Sequence, residues 1–109
     1  MYVLYLGKEI KIHEHSWLFR LPILNSFEAI TLRGLFFKNK MIESIVKHEL
    51  VHINQIVEHG RVGFYLKYVG YFIKNFFTWF SWMKAYRMIP FEVEAYLKSE
   101  SITKYEIVN

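Results

Sequence analysis

The sequence predicts one α+β domain, in which a small N-terminal antiparallel sheet is followed by three helices. Short β-prone runs bounded by turn residues fill the first third of the chain. Apolar residues then recur every three or four positions from Met41 to His59, without a glycine or a proline. Pro90 opens a further helical run. The 109 residues suffice for one core and leave no room for a second domain.

The first strands are predicted to form a hairpin, made of residues 2–6 and 9–13 around a turn at 7–8. Residues 16–24 are predicted as a loop or a short helical turn, because a proline interrupts an apolar run there. Residues 29–37 favour a strand that leads almost directly into the first long helix. The edge of such a strand could pair with an extended peptide.

Two histidines and a glutamate lie at the centre of that helix, in the motif HELVH. His48 and His52 are four residues apart and stack on one helix face, so both imidazoles can reach one metal ion with Glu49 beside them. Zinc lowers the pKa of a bound water, and a neighbouring carboxylate can accept its proton. The alternative is that His48 and Glu49 are ordinary surface residues of the helix and that His52 is a half-buried imidazole with its hydrogen bonds satisfied. Gly60 is predicted to end the helix.

A second histidine pair, His13 and His15, flanks Glu14 and offers another set of metal ligands. A strand would place both histidines on one face, but at an edge with no third ligand in view. The simpler interpretation is a solvated strand end.

A catalytic zinc site needs a third protein ligand, and three glutamates are candidates. Glu92 and Glu94 lie in the C-terminal helical run, about 200° apart around an ideal helix, so only one can face the metal. Glu58 follows His52 at the distance where another class of HExxH enzymes carries its third ligand after a glycine bend. This chain has Gln55 in place of that glycine, so we favour Glu92.

Residues 62–88 form an aromatic segment, which is predicted as one amphipathic helix with a bend allowed at Gly70. Lys67, Lys74 and Lys84 interrupt it, so no stretch approaches the ~18 uncharged apolar residues that a membrane span needs. Two interpretations of the aromatic stripe stay open. It packs into the core, which is the commoner use, or it faces a membrane surface or a substrate.

Composition narrows the classes of function. An apolar fraction of 53% excludes disorder. The formal charge is +4, but the basic residues are scattered, which argues against nucleic acid as a partner. The chain has no cysteine, so a metal site must use histidine and carboxylate. We expect a cytoplasmic protein, because the N-terminus has no basic region ahead of its apolar residues and no signal peptide or transmembrane span is predicted.

Two motifs together resemble those of short zinc metallopeptidases of the gluzincin type. The first is HELVH followed by Gln55, and the second is PFEVEAY at residues 90–96. In size the chain is similar to the minigluzincins, and in motif to the DUF4157-like metallopeptidases. The likeness covers residues 29–96 and is absent at the N-terminus. It implies a zincin-like fold.

The resemblance also implies a set of site residues and an activity. Zinc would be bound by His48, His52 and Glu92, and Glu49 would act as general acid and base. We therefore expect zinc-dependent hydrolysis of peptide bonds in a peptide or protein substrate. The alternative is a non-catalytic, zinc-stabilised module whose aromatic helix binds a membrane surface or a protein partner.

The chain departs from the gluzincin pattern at two positions. Ile89 replaces the usual asparagine before Pro90. Tyr96 stands where many gluzincins have an aspartate that steadies the first zinc histidine; its hydroxyl can accept the same hydrogen bond but adds no charge. An oxyanion stabiliser is also expected. The candidates are Tyr65, Tyr68, Tyr86, Arg87 and Tyr96.

The C-terminal tail, residues 99–109, is β-prone. In the minigluzincins the corresponding segment folds over the cleft and keeps the enzyme latent. One hypothesis is that the tail here likewise pairs with the 29–37 strand as a substrate mimic. The alternatives are a frayed end, or a strand added to the sheet away from the metal.

Overall fold

In the computed structural model, which describes residues 1–22 and 24–109, a five-stranded sheet packs against a helical layer. The strands are β1 (Tyr2–Tyr5), β2 (Lys8–His13), β3 (Ala29–Thr31), β4 (Leu35–Phe37) and β5 (Glu106–Val108). The helices are α1 (Glu43–His59), α2 (Arg61–Trp79), α3 (Trp82–Arg87) and α4 (Pro90–Lys98). Short 3-10 turns cover Trp17–Arg20, Leu24–Ser26 and Ser99–Ser101. The predicted α+β class is confirmed.

The sheet is mixed, with the strand order β3-β4-β2-β1-β5. Only β2 and β4 run parallel among the described strand pairs. The prediction of an antiparallel N-terminal sheet is therefore wrong in two respects, since one pair is parallel and the C-terminal β5 completes the sheet. The β1–β2 hairpin is confirmed. Its turn lies at Leu6 and Gly7, one residue earlier than predicted, and both have the positive φ that a tight hairpin turn requires, 53° and 72°.

Residues 29–37 form two strands rather than the single predicted strand. β3 and β4 are antiparallel, with Ala29 opposite Phe37, and the chain reverses between them. Gly34 is required beside β2, because a Cβ atom there would lie 2.8 Å from the carbonyl oxygen of Lys11. Strand propensity does not reveal a reversal this short.

Helix α1 packs against the sheet and forms most of the core with it. The buried cluster consists of Val3, Tyr5, Ile10, Ile12, Leu35, Phe37, Val46, Leu50, Val51, Ala95 and Ile102. A second cluster of Ile56, Phe64, Ile89 and Phe91 joins α1, α2 and α4. Gly60 has a φ of 76° and ends α1 as predicted, so α2 begins at the next residue.

The aromatic segment forms two helices instead of one. Helix α2 continues through Gly70, and the chain turns at Phe80, which has a φ of 51°. Of the α2 residues, all of which the structure describes, Phe64 alone is buried. Trp79 and Phe80 are exposed, so the expectation that this stripe packs into the core is wrong for most of α2. No helix in the described ranges is long and apolar enough to cross a membrane.

The tail does not pair with the 29–37 region, and that hypothesis is wrong. Strand β5 pairs with β1, at the opposite edge of the sheet from β3. Ile102 is buried in the main core, and the Tyr105 hydroxyl donates a hydrogen bond to the Glu43 carboxylate. The tail is thus a strand added to the far edge of the sheet, which was one of the alternatives.

Candidate metal centre

Helix α1 brings His48, Glu49 and His52 together, as their spacing predicts. The two imidazole rings meet edge to face, with their centroids 5.0 Å apart. One ligand atom from each of the three residues lies within 4.8 Å of the others, so the group could hold a metal ion. Glu49 and His52 are buried, and His48 is partly exposed.

Helix α4 delivers Glu92 to the same point. Its Oε1 atom lies 2.8 Å from Nε2 of His48 and 3.2 Å from Nε2 of His52, and the residue is 2% exposed. Glu94 instead accepts a hydrogen bond from a neighbouring amide, and Glu58 is exposed on α1. Of the three candidate glutamates, Glu92 is the one whose carboxylate contacts both histidines.

The spacing of these atoms fits a shared metal ion. Tetrahedral bonds of about 2.0–2.1 Å would separate neighbouring ligand atoms by about 3.3 Å, close to the 2.8 and 3.2 Å observed around Oε1 of Glu92. The Tyr68 hydroxyl donates to Oε2 of Glu92 at 2.5 Å. Because Tyr68 engages Oε2, Oε1 is the atom directed at the histidines.

Gln55, three residues after His52, fixes the orientation of that imidazole. The Gln55 amide nitrogen donates to the Phe91 carbonyl and to Glu94, both at 2.9 Å. Its Oε1 therefore faces Nδ1 of His52, 2.8 Å away. Since an amide oxygen only accepts, Nδ1 carries the proton, and in the neutral ring Nε2 keeps its lone pair for a metal.

Glu49 faces a cavity and is held by β3. The Thr31 hydroxyl donates a hydrogen bond to Oε2 of Glu49, and both side chains are buried. Burial raises the pKa of Glu49 above its ordinary value, while the charge of His52 and the hydrogen bond from Thr31 oppose that rise. The arrangement provides an oriented carboxylate that can accept and return a proton.

The buried carboxylates require positive charge nearby. Burial alone would lower the pKa of His52, but its hydrogen bond with Glu92 and the charge of Glu49 outweigh burial and raise the pKa to about 9. Burial alone would raise the pKa of Glu92, but its hydrogen bonds with His48 and His52 lower it. Without a metal, the balancing charge therefore comes from a protonated imidazole. A bound divalent cation would take over that function.

Two adjoining cavities open at these residues. One, of about 250 Å³, is lined by residues that include Thr31, Glu49, His52, Tyr68 and Glu92. The other, of about 400 Å³, is lined by residues that include His48, Glu49, Tyr86, Arg87 and Tyr96. Glu49 and Tyr86 border both cavities. The outer strand β3 and the following Leu32 border the first.

The candidate hydroxyl groups have partners within the site. Tyr65 donates to the carbonyl oxygen of Thr31 at 3.0 Å, and Tyr68 donates to Glu92. Tyr86 also has a hydrogen bond with Glu92, and burial and the negative charge of Glu92 raise the pKa of Tyr86. Tyr86 therefore remains a neutral phenol that can donate a hydrogen bond at the junction of the two cavities.

The two residues that depart from the gluzincin pattern, Tyr96 and Ile89, both make contacts in the structure. Tyr96 contacts His48 through its ring, with the centroids 4.6 Å apart, and is 59% exposed. A hydrogen bond from His48 to the Tyr96 hydroxyl is absent from the contacts of the described residues. Ile89 is fully buried and packs in the second cluster with Phe64 and Phe91, where an asparagine would need polar partners.

The His13–His15 pair does not form a metal centre within the described part of the chain. The ring of His13 stacks on Phe36, with the centroids 4.5 Å apart. The carboxylate of Glu14 accepts a hydrogen bond from the backbone nitrogen of Met41 at 2.6 Å. The side chains of His13 and Glu14 thus have structural partners of their own, and the alternative ligand set is not assembled among the described residues.

Sequence reasoning missed two residues of the site. Thr31 contacts Glu49 only because β3 packs beside α1, and nothing local in the sequence signals this contact. Gln55 is part of the first motif, but the motif alone assigns it no function. The position of Gln55, three residues after His52 on the same helix, indicates a contact between the two side chains, because side chains at that spacing are neighbours.

No known protein family, characterised protein or solved structure matches this chain. The resemblance to the minigluzincins therefore rests on the two sequence motifs alone. Function has to be inferred from the chemistry and geometry of the site.

Proposed function

We propose that the protein is a zinc-dependent peptidase of the gluzincin type with a zincin-like fold. His48, His52 and Glu92 would hold the zinc ion. The observation that carries this proposal is the convergence of both histidine Nε2 atoms on one oxygen of Glu92. Two imidazole nitrogens and a carboxylate oxygen are donors that zinc prefers, and three protein ligands leave a fourth position open, as in catalytic zinc sites.

Glu49 is assigned as the general acid and base. Zinc, when bound, would supply a Lewis acid for the scissile carbonyl and would lower the pKa of water. Glu49 borders both cavities beside the ligands, where it would take a proton from the attacking water and return it to the leaving amine. Burial raises its pKa above the ordinary value, which makes the carboxylate a stronger base toward the proton of the water. Thr31 holds the carboxylate in place.

A peptide is the substrate class that the surroundings favour. β3 is the outer strand of the sheet and borders the cavity next to Glu49, so an extended peptide can add to its edge by main-chain hydrogen bonds. Tyr86 keeps its proton at the junction of the cavities, and we assign it as the donor that stabilises the developing oxyanion.

The test is a comparison of Glu49→Gln with wild type after loading with zinc. Both proteins are incubated with a mixture of unstructured peptides, and the products are identified by mass spectrometry. Glu49→Gln should keep its zinc and lose about 100-fold or more in cleavage rate. Glu94→Gln is the matched control, since it alters a carboxylate on α4 that does not contact the histidines, and should retain both properties.

Two outcomes would contradict the proposal. Equal cleavage by Glu49→Gln and wild type would remove Glu49 from the mechanism. If both proteins carried stoichiometric zinc and neither cleaved the peptides, the chain would be a zinc-stabilised binding module and not an enzyme.

A further inference from the structure

Helix α2 carries an exposed row of apolar side chains on its outer face. We call this row the apolar stripe; it consists of Val62, Leu66, Val69, Ile73, Phe77 and Phe80. Each of these residues is between 50% and 76% exposed. The spacing of three or four residues places the members from Val62 to Phe77 within a narrow sector of the helix, and Phe80 follows the last residue of α2. The helical part of the stripe is roughly 23 Å long, at about 1.5 Å per residue.

The domain does not need this stripe for its own packing. The inward face of α2 uses other residues: Phe64 lies against Phe91 with the ring centroids 4.8 Å apart, and Tyr68 bonds Glu92. Near the end of the helix, the Trp82 ring of α3 packs on Phe72 at 4.7 Å. The apolar stripe points away from these contacts. Contiguous apolar surface of this kind usually marks an interaction site.

Charge is distributed unevenly between this region and the remainder of the chain. The segment between Glu58 and Glu92 contains five basic residues and no acidic residue. The remaining residues include nine basic and ten acidic side chains, a formal charge of −1. The net positive charge of the protein therefore comes from the segment that carries the apolar stripe. The basic residues are Arg61, Lys67, Lys74, Lys84 and Arg87.

We propose that the apolar stripe binds the surface of a membrane that contains anionic lipids. Apolar and aromatic side chains of such a helix enter the boundary between headgroups and acyl chains, while lysines and arginines contact lipid phosphates. A second copy of the chain is the competing occupant. Two copies would bring like charges together, without an acidic residue on α2 or α3 to pair with them, so charge complementarity favours the anionic surface.

The side chains around the stripe suit a position at the interface. Lys67 and Lys74 lie roughly 100–120° around the helix from the centre of the stripe, and their long chains can extend to the headgroups. Lys84 lies 3.7 Å above the ring of Trp79 at the end of the helix. Tryptophan and lysine together are common at this depth of a bilayer.

Phe80 gives independent support. It adopts a left-handed conformation at the end of α2, with a φ of 51°, where glycine is the usual residue. A phenylalanine in this conformation costs backbone free energy, and its side chain is largely exposed. The chain therefore places an aromatic ring at the end of the stripe where fold stability favours glycine.

The test uses all 109 residues of the chain and does not depend on peptidase activity. Flotation is measured with vesicles of phosphatidylcholine alone and with equimolar phosphatidylcholine and phosphatidylglycerol, at low and physiological salt. Wild type should float with the anionic vesicles. The double variant Phe77→Ser/Phe80→Gly should weaken the apparent partition coefficient about tenfold or more. Val62→Ser/Leu66→Ser, at the other end of the stripe, should also weaken binding.

Two further variants separate the apolar and electrostatic parts. Leu97→Ser is the matched control, because Leu97 is as exposed as Phe80 but lies on α4, and it should bind like wild type. Lys67→Gln/Lys74→Gln should lose about fivefold per charge on anionic vesicles only. Circular dichroism verifies that each variant is folded.

Three results would overturn the proposal. The first is that wild type fails to float with anionic vesicles at low salt. The second is that Phe77→Ser/Phe80→Gly binds them as wild type does. The third is a dimer in light scattering that the same double variant abolishes, with no vesicle binding, which would make the stripe a self-association surface.

Discussion

Replacing Gln55 with leucine should weaken metal binding although the residue is not itself a ligand. Gln55 is 1% exposed and joins His52 on α1 to the Phe91 carbonyl at the start of α4. Leucine has a similar size but accepts and donates no hydrogen bond. His52 Nδ1 would lose the acceptor that sets its tautomer. Loss of such a partner typically costs 10–100-fold in metal affinity, and we expect a decrease of about that size.

The same substitution should also lower the stability of the metal-free protein. It leaves one buried group, Nδ1 of His52, without its hydrogen-bond partner, at about 1–3 kcal/mol. The free energy of unfolding should therefore fall by about 1–3 kcal/mol, measured by urea denaturation. Zinc affinity is measured by competition with a fluorescent chelator.

The matched control is Glu94→Ala, which removes one half-buried acceptor of the Gln55 amide and leaves the contact of Gln55 with His52 intact. It should change zinc affinity by less than about threefold. If Gln55→Leu bound zinc as tightly as wild type, the proposed control of the His52 tautomer by Gln55 would be refuted.

Three further predictions concern packing, pH and the tail. Phe64→Ala should cost about 3–5 kcal/mol of unfolding free energy because Phe64 is buried, whereas the exposed Phe77→Ala should cost less than about 0.5 kcal/mol; similar losses would contradict the packing of α2. The pKa of His52 in the metal-free fold is about 9, above its ordinary 6.5, so its stabilising contribution is complete below pH 6.5 and is lost as the pH rises through about 9. The urea midpoint of chelator-treated protein should accordingly fall as the pH rises from 6.5 through about 9. A midpoint that rises over this range would count against a protonated His52. Truncation after Lys98 removes the strand paired with β1 and should lower the melting temperature without raising peptide cleavage; faster cleavage by a folded truncation would instead support latency.

The sequence predicts the part of the site that is local. The histidines and Glu49 share one helix, so their relative positions follow from helical geometry alone. Pro90 marks the start of α4, and Glu92 is buried in its first turn. Glu92 reaches the histidines only because α4 packs on α1. The motif at residues 90–96 suggests this packing by its resemblance to the gluzincins, but no rule of local structure determines it.

Features that depend on packing between distant elements could not be predicted. The contact of Thr31 with Glu49 needs the short reversal between β3 and β4, which strand propensity does not indicate. Helix α2 carries apolar residues on both its inner and outer faces, as Phe64 and Phe77 illustrate. Periodicity does not identify which face the domain buries, and the aromatic helix was for this reason expected to pack into the core.

The metal content of protein purified without added metal tests the central claim most directly. Inductively coupled plasma mass spectrometry should find one zinc ion per chain in wild type. The His48→Ala/His52→Ala double variant should contain almost none, and Glu92→Ala should lose far more zinc than Glu94→Ala or Glu58→Ala. Wild-type protein that neither carries zinc nor binds it stoichiometrically when it is supplied, or a double variant that retains stoichiometric metal, would contradict the metal centre proposed for α1 and α4.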